Sequence, residues 1–453
     1  MARRVVGTRL CCQRARTSDS LIDDLPPADA PVLVVRIGRV LMDEVVEYCA
    51  GLDVHRDTVV ATVRYPQGRQ RASETRTFST DTGELMALGD WLISHRVTRV
   101  GLESTGVYWK PVFYLLEDRI DQLWLLNAQH LKNVPGRKTD VADSAWIAQL
   151  VEHGLVRPSF VPPPPIRELR DFTRHRRVLS EERTRMVQRL EKVLQDAGIK
   201  LTSVASTVLS KSARAMLEAM LAGESDPVVL AELAKGRMRS KIPALTDALR
   251  GSFRVSHHGV LVRQILAHVD FLDGQLADLD AEITTRVSTV EPIIERLQTI
   301  PGVARKCAIG MIAEIGVDMG VFATPAHLAS WAGICPGNNA SGGKARSGRT
   351  RHGPVALKTV LTEAAQAAGR TKNTYLGARY HAIRGRRGTF KAVGAIRHDI
   401  LIAYWHIVAA EVEYQDRGAD WVARRHSREH QIARLAKQIE KLGAAVEITM
   451  PAA

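Results

Sequence analysis

An α/β domain followed by a long all-α region is the fold class this sequence predicts, and three observations carry the prediction. Short β-branched and apolar runs alternate with helical segments between residues 46 and 155. A four-proline stretch, Pro162 to Pro165, then interrupts the chain. Beyond it, apolar residues recur at heptad spacing, the mark of helices packed along a seam. With 453 residues the chain is long enough for two or three domains, each burying its own core.

Residues 1–45 combine an Arg-rich start with Asp23, Asp24 and a Pro/Ala/Asp stretch from Pro26 to Pro31, so a loosely ordered extension is expected there. Val46 to Val54, Thr58 to Tyr65 and Arg71 to Ser79 read as three successive strands. Thr82 to His95 then reads as a helix, Thr98 to Glu103 as a strand and Trp109 to Glu117 as a helix. Gln122 to Leu126 reads as a strand and Asp140 to Glu152 as a helix. Three strands followed by αβαβα give a mixed sheet in a domain spanning 46–155.

The prolines make a stiff, extended break and a natural domain boundary. In the helical region 156–290, Phe172, Leu179, Met186 and Val193 recur every seven residues, with Leu169, Leu190, Arg176 and Arg183 in the companion seam. Ile265, Leu272 and Leu279 alternate with Val269, Leu276 and Ile283 in 4–3 spacing. Two such helices suit a coiled-coil hairpin or a dimer seam, and an ordinary intramolecular bundle equally. Ile300-Pro301-Gly302-Val303 opens a mostly helical C-terminal domain, 291–412. Its Pro-Gly turn and the apolar helix Cys307 to Ile315, closed by Gly316, resemble a helix-hairpin-helix, which offers backbone amides to phosphates. Ile396 to Val412 reads as a helix, and Arg424 to Leu442 as a charged helix within a tail, 413–453.

Composition narrows the function classes. No stretch approaches the ~18–20 unbroken apolar residues of a bilayer span. The most apolar N-terminal piece, Pro31 to Leu41, is cut by Arg36 and Arg39 and fails as a signal-peptide core. A cytoplasmic protein is expected, with no membrane partner. Its five cysteines, at 11, 12, 49, 307 and 335, show no zinc-site spacing and are expected to be reduced and inert. The net charge is +14. Between Ser341 and His398 stand thirteen Lys or Arg and one acid, Glu363. A solvated surface mixes signs, so this segment reads as one built for phosphates.

Four acids stand out. Asp53 sits in the strand-like run Ala50-Gly51-Leu52-Asp53-Val54-His55, where a carboxylate is disfavoured and calls for a compensating cation. Glu103 ends the apolar strand Val100-Gly101-Leu102-Glu103. Asp140 and Asp143, three apart at a helix start, share one face. Singly, Asp140 is explained as an N-cap, Asp143 as a dipole partner and Glu103 as a surface residue. As a set converging on one sheet edge, they can hold two Mg²⁺ (or Mn²⁺) ions, which take oxygen ligands.

Gly51-Leu52-Asp53-Val54-His55, Glu103-Ser104-Thr105-Gly106 and Lys138-Thr139-Asp140-x-x-Asp143 resemble the DEDD transposases of bacterial insertion sequences, the insertion-sequence family one-ten. Thr299 to Val303, Leu328-Ala329-Ser330-Trp331-Ala332-Gly333 and Pro336-Gly337-x-x-x-Ser341-Gly342-Gly343-Lys344 resemble the family's C-terminal domain. The likeness runs from about residue 46 to 410, in order. Arg56 stands where a Lys is common. The resemblance implies a RuvC/ribonuclease-H-like first domain whose Asp53, Glu103, Asp140 and Asp143 are catalytic and bind metal. It implies that Ser341, which from residues alone reads as a loop serine, is a nucleophile on DNA. Lys344, Arg346, Arg349 and Arg351, with a second cluster at Arg384, Arg386 and Arg387, are then expected on nucleic-acid phosphates.

The implied partners are double-stranded DNA (element ends and target), a bridge RNA that pairs with both, and further copies of the chain in a dimer or tetramer whose active site is composite. The place of action is then the nucleoid. Two other readings stand beside this one: a RuvC-like junction-resolving nuclease that uses water, and a non-catalytic nucleic-acid-binding derivative. Intact acids at all four positions weigh against the last, since a binding-only protein gains nothing from acids beside phosphates.

Overall fold

The structure is a computed structural model that describes residues 46–103, 106–127, 140–335, 340–341, 344–345 and 350–421, with 432, 435, 436 and 438–440. For 140–142, 340–341 and 344–345 it describes the backbone alone. The expected extension, 1–45, and most of the expected helix from Arg424 to Leu442 lie outside the described residues. The chain forms two compact units, Met1–Ser159 and Phe160–Ala453.

In the first unit β1 (Cys49–Val54), β2 (Thr58–Gln67) and β3 (Gln70–Ser79) make an antiparallel meander. α1 (Thr82–Ser94) leads to β4 (Arg99–Glu103), and α2 (Trp109–Leu116) to β5 (Gln122–Leu126). β4 lies parallel to β1 and β5 parallel to β4, so the sheet order is β3-β2-β1-β4-β5. This is the mixed five-stranded sheet expected of a RuvC-like domain. All six residues of the central β1 are buried, as both faces of a central strand require.

α3 (Asp140–Glu152) covers one face of the sheet. Its seat is made by two glycines paired across β1 and β4, Gly51 and Gly101. A Cβ on Gly51 would fall 2.2 Å from the Ser144 carbonyl oxygen and 2.3 Å from the Ala148 nitrogen. A Cβ on Gly101 would fall 2.6 Å from Val151 Cγ2. Only glycine lets a helix backbone lie this close to a sheet. Polar ties fix the same helix: Thr62 Oγ1 stands 2.8 Å from both Ser144 Oγ and Thr75 Oγ1. At the other end the buried Glu152 takes Arg71 Nε at 2.6 Å and Arg64 Nε. A buried carboxylate needs such partners.

The second unit opens with α4 (Pro164–Asp196). Pro163, at ψ 160°, is its extended N-cap, and two prolines occupy the first turn, where a missing N–H costs nothing. The four-proline run is therefore only half extended. α5 (Lys211–Leu221), α6 (Pro227–Glu232) and α7 (Ile242–Ala248) pack with the ends of α4 and α8 (Val260–Arg286) around Met216, Leu217, Leu245 and Leu266.

α4 and α8 run antiparallel within one chain. Arg286 meets Glu168, Arg176 grips Asp280 (2.9 Å for Nη2–Oδ2), Arg183 grips Asp273 (3.0 Å) and His258 Nε2 lies 3.2 Å from Asp196. The two arginines that interrupt the first heptad seam are thus paired with acids of the second helix. Phe172, Leu179, Met186 and Val193 are half-buried along this stretch.

A separate core gathers α9 (Glu291–Gln298), α10 (Arg305–Ile315), α11 (Pro325–Trp331), α12 (Val355–Arg370), α13 (Tyr375–Arg387) and α14 (Thr389–Ala410). Buried Tyr404 donates its hydroxyl to the Gly316 carbonyl at 2.6 Å, and Trp405 Nε1 donates to that of Phe322 at 2.8 Å. Trp331 closes a ring cluster with Phe160 and Phe322. The Pro301-Gly302 turn has a packing role. Gly302 has φ +88°, and a Cβ there would lie 2.4 Å from the Ala368 nitrogen, so the turn fits against α12. That accounts for the turn without any ligand.

Candidate active site

The geometry of the acids follows from strand register and helix direction. The parallel pairing of β1 and β4 ends at Leu52 opposite Leu102, so Asp53 and Glu103 are the next residues on neighbouring strands, both at carboxyl ends. Asp53 is buried, at 7% exposure, and its Oδ2 stands 3.1 Å from His55 Nε2. Glu103 is half-buried.

α3 runs antiparallel to β1. The Glu152 carbonyl accepts from Val46 N at 2.9 Å, that of Ala148 accepts from Cys49 Sγ at 3.5 Å, and that of Ser144 abuts Gly51. Continued by one turn, the same progression brings the start of the helix, with Asp140 and Asp143, to the end of β1 that carries Asp53. Asp143 is half-buried, next to the anchored Ser144, and Asp140 is the first residue of the helix. The side chain of Asp140 lies outside the described residues; the backbone directs the start of the helix toward the strand ends that carry Asp53 and Glu103. Among the described residues no group of three or more His, Cys, Asp or Glu forms a metal site by itself.

Carboxylates at adjacent parallel strand ends repel each other, a repulsion that surrounding groups or a bound cation offset. An all-oxygen set of this kind suits a hard divalent ion such as Mg²⁺. The Cys49 thiol lies deeper in the same strand. Burial, reinforced by the nearby Glu152 carboxylate, pushes it up to about 12, so it is a protonated core group.

Ser341 belongs to a small hairpin in the second unit. β6 (Ala340–Ser341) pairs antiparallel with β7 (Lys344–Ala345), Ser341 opposite Lys344. The loop that holds this hairpin is pinned at its base. A Cβ on Gly353 would lie 2.2 Å from the Ala332 carbonyl oxygen, and one on Gly333 2.4 Å from that of His352. Arg346 and Arg349 lie outside the described residues, as does the Lys344 side chain. Arg351 is exposed at the loop's exit. Arg384, Arg386 and Arg387 are exposed in the last turn of α13, and the 95%-exposed Phe390 follows them at the start of α14.

Two cations near this loop escape sequence reasoning, Lys358 on α12 and Arg397 on α14. Both line a cavity beside Arg351. Lys358 gives no signal in the sequence, being a single cation at an ordinary helical position. Arg397 gives none, since it falls among the apolar residues of a core helix.

Fold and site together define a RuvC-like domain with acids at one sheet edge, followed by a helical, basic unit that carries Ser341 on a short strand pair. Residues 50–199 match the family model for DEDD transposases of the IS110 type, described as a transposase. Residues 294–381 match the model described as transposase, IS116/IS110/IS902 family. A relative in Pseudomonas aeruginosa, called a probable family 20 transposase, is 26% identical over 161 residues, 35% of this chain and 47% of the relative. The aligned stretch is thus about half the length of that relative. The two family models together span more than half of the chain, and the chain belongs to the IS110/IS116 family of transposases. The first match contains all four acids, and the second contains Ser341. No helix among the described residues is long and apolar enough to cross a membrane.

Proposed function

We propose that this chain is the transposase of an insertion sequence, a site-specific recombinase that cuts and exchanges DNA strands through a phosphoserine intermediate. The observation that carries the reading is the side-by-side placement of Asp53 and Glu103 at parallel strand ends, with the start of α3 directed to the same edge. Asp53, Glu103, Asp140 and Asp143 would hold the metal. Mg²⁺ or Mn²⁺ bound there supplies charge neutralisation and Lewis acidity at the scissile phosphate.

The Ser341 oxygen attacks phosphorus, the bond from phosphorus to the 3′ oxygen breaks, and the leaving oxygen keeps the electron pair and takes up a proton. The 5′-linked strand remains on the serine until a 3′ hydroxyl of the exchanging strand displaces it. The role of Ser341 rests on the family resemblance together with the two glycines that follow it in sequence. Lys344, Arg346, Arg349, Arg351, Arg384, Arg386 and Arg387 serve as phosphate contacts that set register without reading sequence. A bridge RNA would supply the sequence reading, and paired copies of the chain would bring the carboxylates of one to the serine of another.

An excision assay tests this. A plasmid carrying the gene within its native flanking DNA yields a rejoined element junction with the wild type and none with Asp53→Asn or Ser341→Ala. Strand cleavage retained in Ser341→Ala without any protein–DNA adduct instead favours the junction-resolving nuclease. RNA co-purified under stringent salt and sequenced tests the guide: a discrete species mapping beside the gene supports it, and random cellular RNA counts against it.

A further inference from the structure

A cavity of about 460 Å³ lies at the base of the serine loop, lined by Arg351 and His352 on the loop's exit, Lys358, Thr359 and Thr362 on α12, and Arg397 on α14. Its charged lining is entirely cationic. Lys358 Nζ donates to the Arg351 carbonyl at 2.7 Å, which orients the ammonium and leaves its charge unneutralised. Arg397 Nη1 donates to Thr362 Oγ1 at 3.4 Å, while its buried Nε has no hydrogen-bond partner. Burial, and then the neighbouring Arg397, hold the Lys358 ammonium below its ordinary value; burial alone lowers Arg397. No carboxylate contributes to either shift. α12 begins here with Pro354 as an N-cap that makes no side-chain bond, so the positive end of the helix dipole opens on the same space.

Two partly buried cations lining one cavity, with no acid among its lining residues, weaken a fold. Such a pair is retained where an anion arrives. The Thr359 and Thr362 hydroxyls donate to the Val355 and Lys358 carbonyls of their own helix, so the donors left for a ligand are the two cations and the free amides at the helix start, and the anion suited to them is a tetrahedral phosphate oxygen set.

We propose that Lys358 and Arg397, with Arg351, seat one backbone phosphodiester of the DNA strand being processed, at the base of the loop that carries Ser341. This deepens the transposase reading and rests on it for the choice of DNA over RNA. The exposed arginines of α13 grip a strand only loosely, whereas a recessed seat fixes the register of one phosphate relative to the hairpin.

Full-length Lys358→Met and Arg397→Gln variants test this by three readouts. Each is expected to keep or raise the melting temperature of the ligand-free protein, because a repelling charge is removed. Each is expected to lower affinity for a DNA duplex on the order of tenfold at moderate salt, and to reduce the slope of log K against log salt by about 0.9, one phosphate contact. Inorganic phosphate should raise the melting temperature of the wild type and have less effect on either variant. Unchanged DNA affinity and salt slope in folded variants overturns the proposal, as does a loss confined to RNA binding. A melting temperature that falls in both variants marks the cations as structural and also overturns it. Excision by the wild type separates the two readings: if no rejoined junction forms the transposase reading fails, while the seat is scored by binding alone.

Discussion

At the residue scale, the chemistry is decided by which side chains carry charge or reactivity. Cys49 lies at the start of the strand that carries Asp53, and its thiol is held at about 12, first by burial and then by the Glu152 carboxylate. Only the thiolate is nucleophilic. Cys49 should therefore resist alkylation in the native protein at mildly alkaline pH and react once the protein is unfolded. Mass spectrometry of the labelled peptide reads this, and fast labelling of the folded protein would refute it. The four acids are legible in the sequence because each interrupts a pattern: Asp53 and Glu103 end apolar strands, and Asp140 and Asp143 start a helix. Lys358 and Arg397 are not legible, because single cations at ordinary helical positions break no pattern. Only the packing of α12 against α14 brings them together.

At the element scale the position of α3 decides whether the acids meet. Strand and helix assignments in the first unit are readable to within a few residues, since turn residues separate the runs cleanly. The seat made by Gly51 and Gly101 is not, because a glycine in a strand gives no indication of which backbone will approach it. Gly51→Ala forces a methyl into the space of the Ser144 carbonyl and the Ala148 amide. It should cost about 1–3 kcal/mol in a urea titration and suppress excision by displacing the helix start. Wild-type stability and excision in that variant would show that the helix does not depend on this contact. The heptad helices carry a related lesson. Their spacing leaves a coiled-coil hairpin or dimer seam and an ordinary intramolecular bundle equally open. Arg176 with Asp280 and Arg183 with Asp273 join them within one chain, a pairing that periodicity cannot specify.

At the scale of the whole molecule the net charge of +14 is concentrated in the second unit's basic segment. The exposed last turn of α13 should serve phosphates of many sequences alike. Replacing Arg384, Arg386 and Arg387 together by Gln should weaken duplex binding uniformly, with helicity unchanged. Its salt dependence should flatten by about 0.9 for each phosphate left without its arginine. Sequence-selective losses would argue for base contacts instead. The basic segment is legible as a charge imbalance, and the family motifs are legible as an ordered set. The pinned loop and the cavity at its base require the fold. The most direct test of the central claim, that the carboxylate edge performs the strand chemistry, is excision in cells by Asp53→Asn from DNA carrying its native flanks. No rejoined junction is expected, while the variant still binds DNA with wild-type affinity. A junction formed at the wild-type level would contradict the claim.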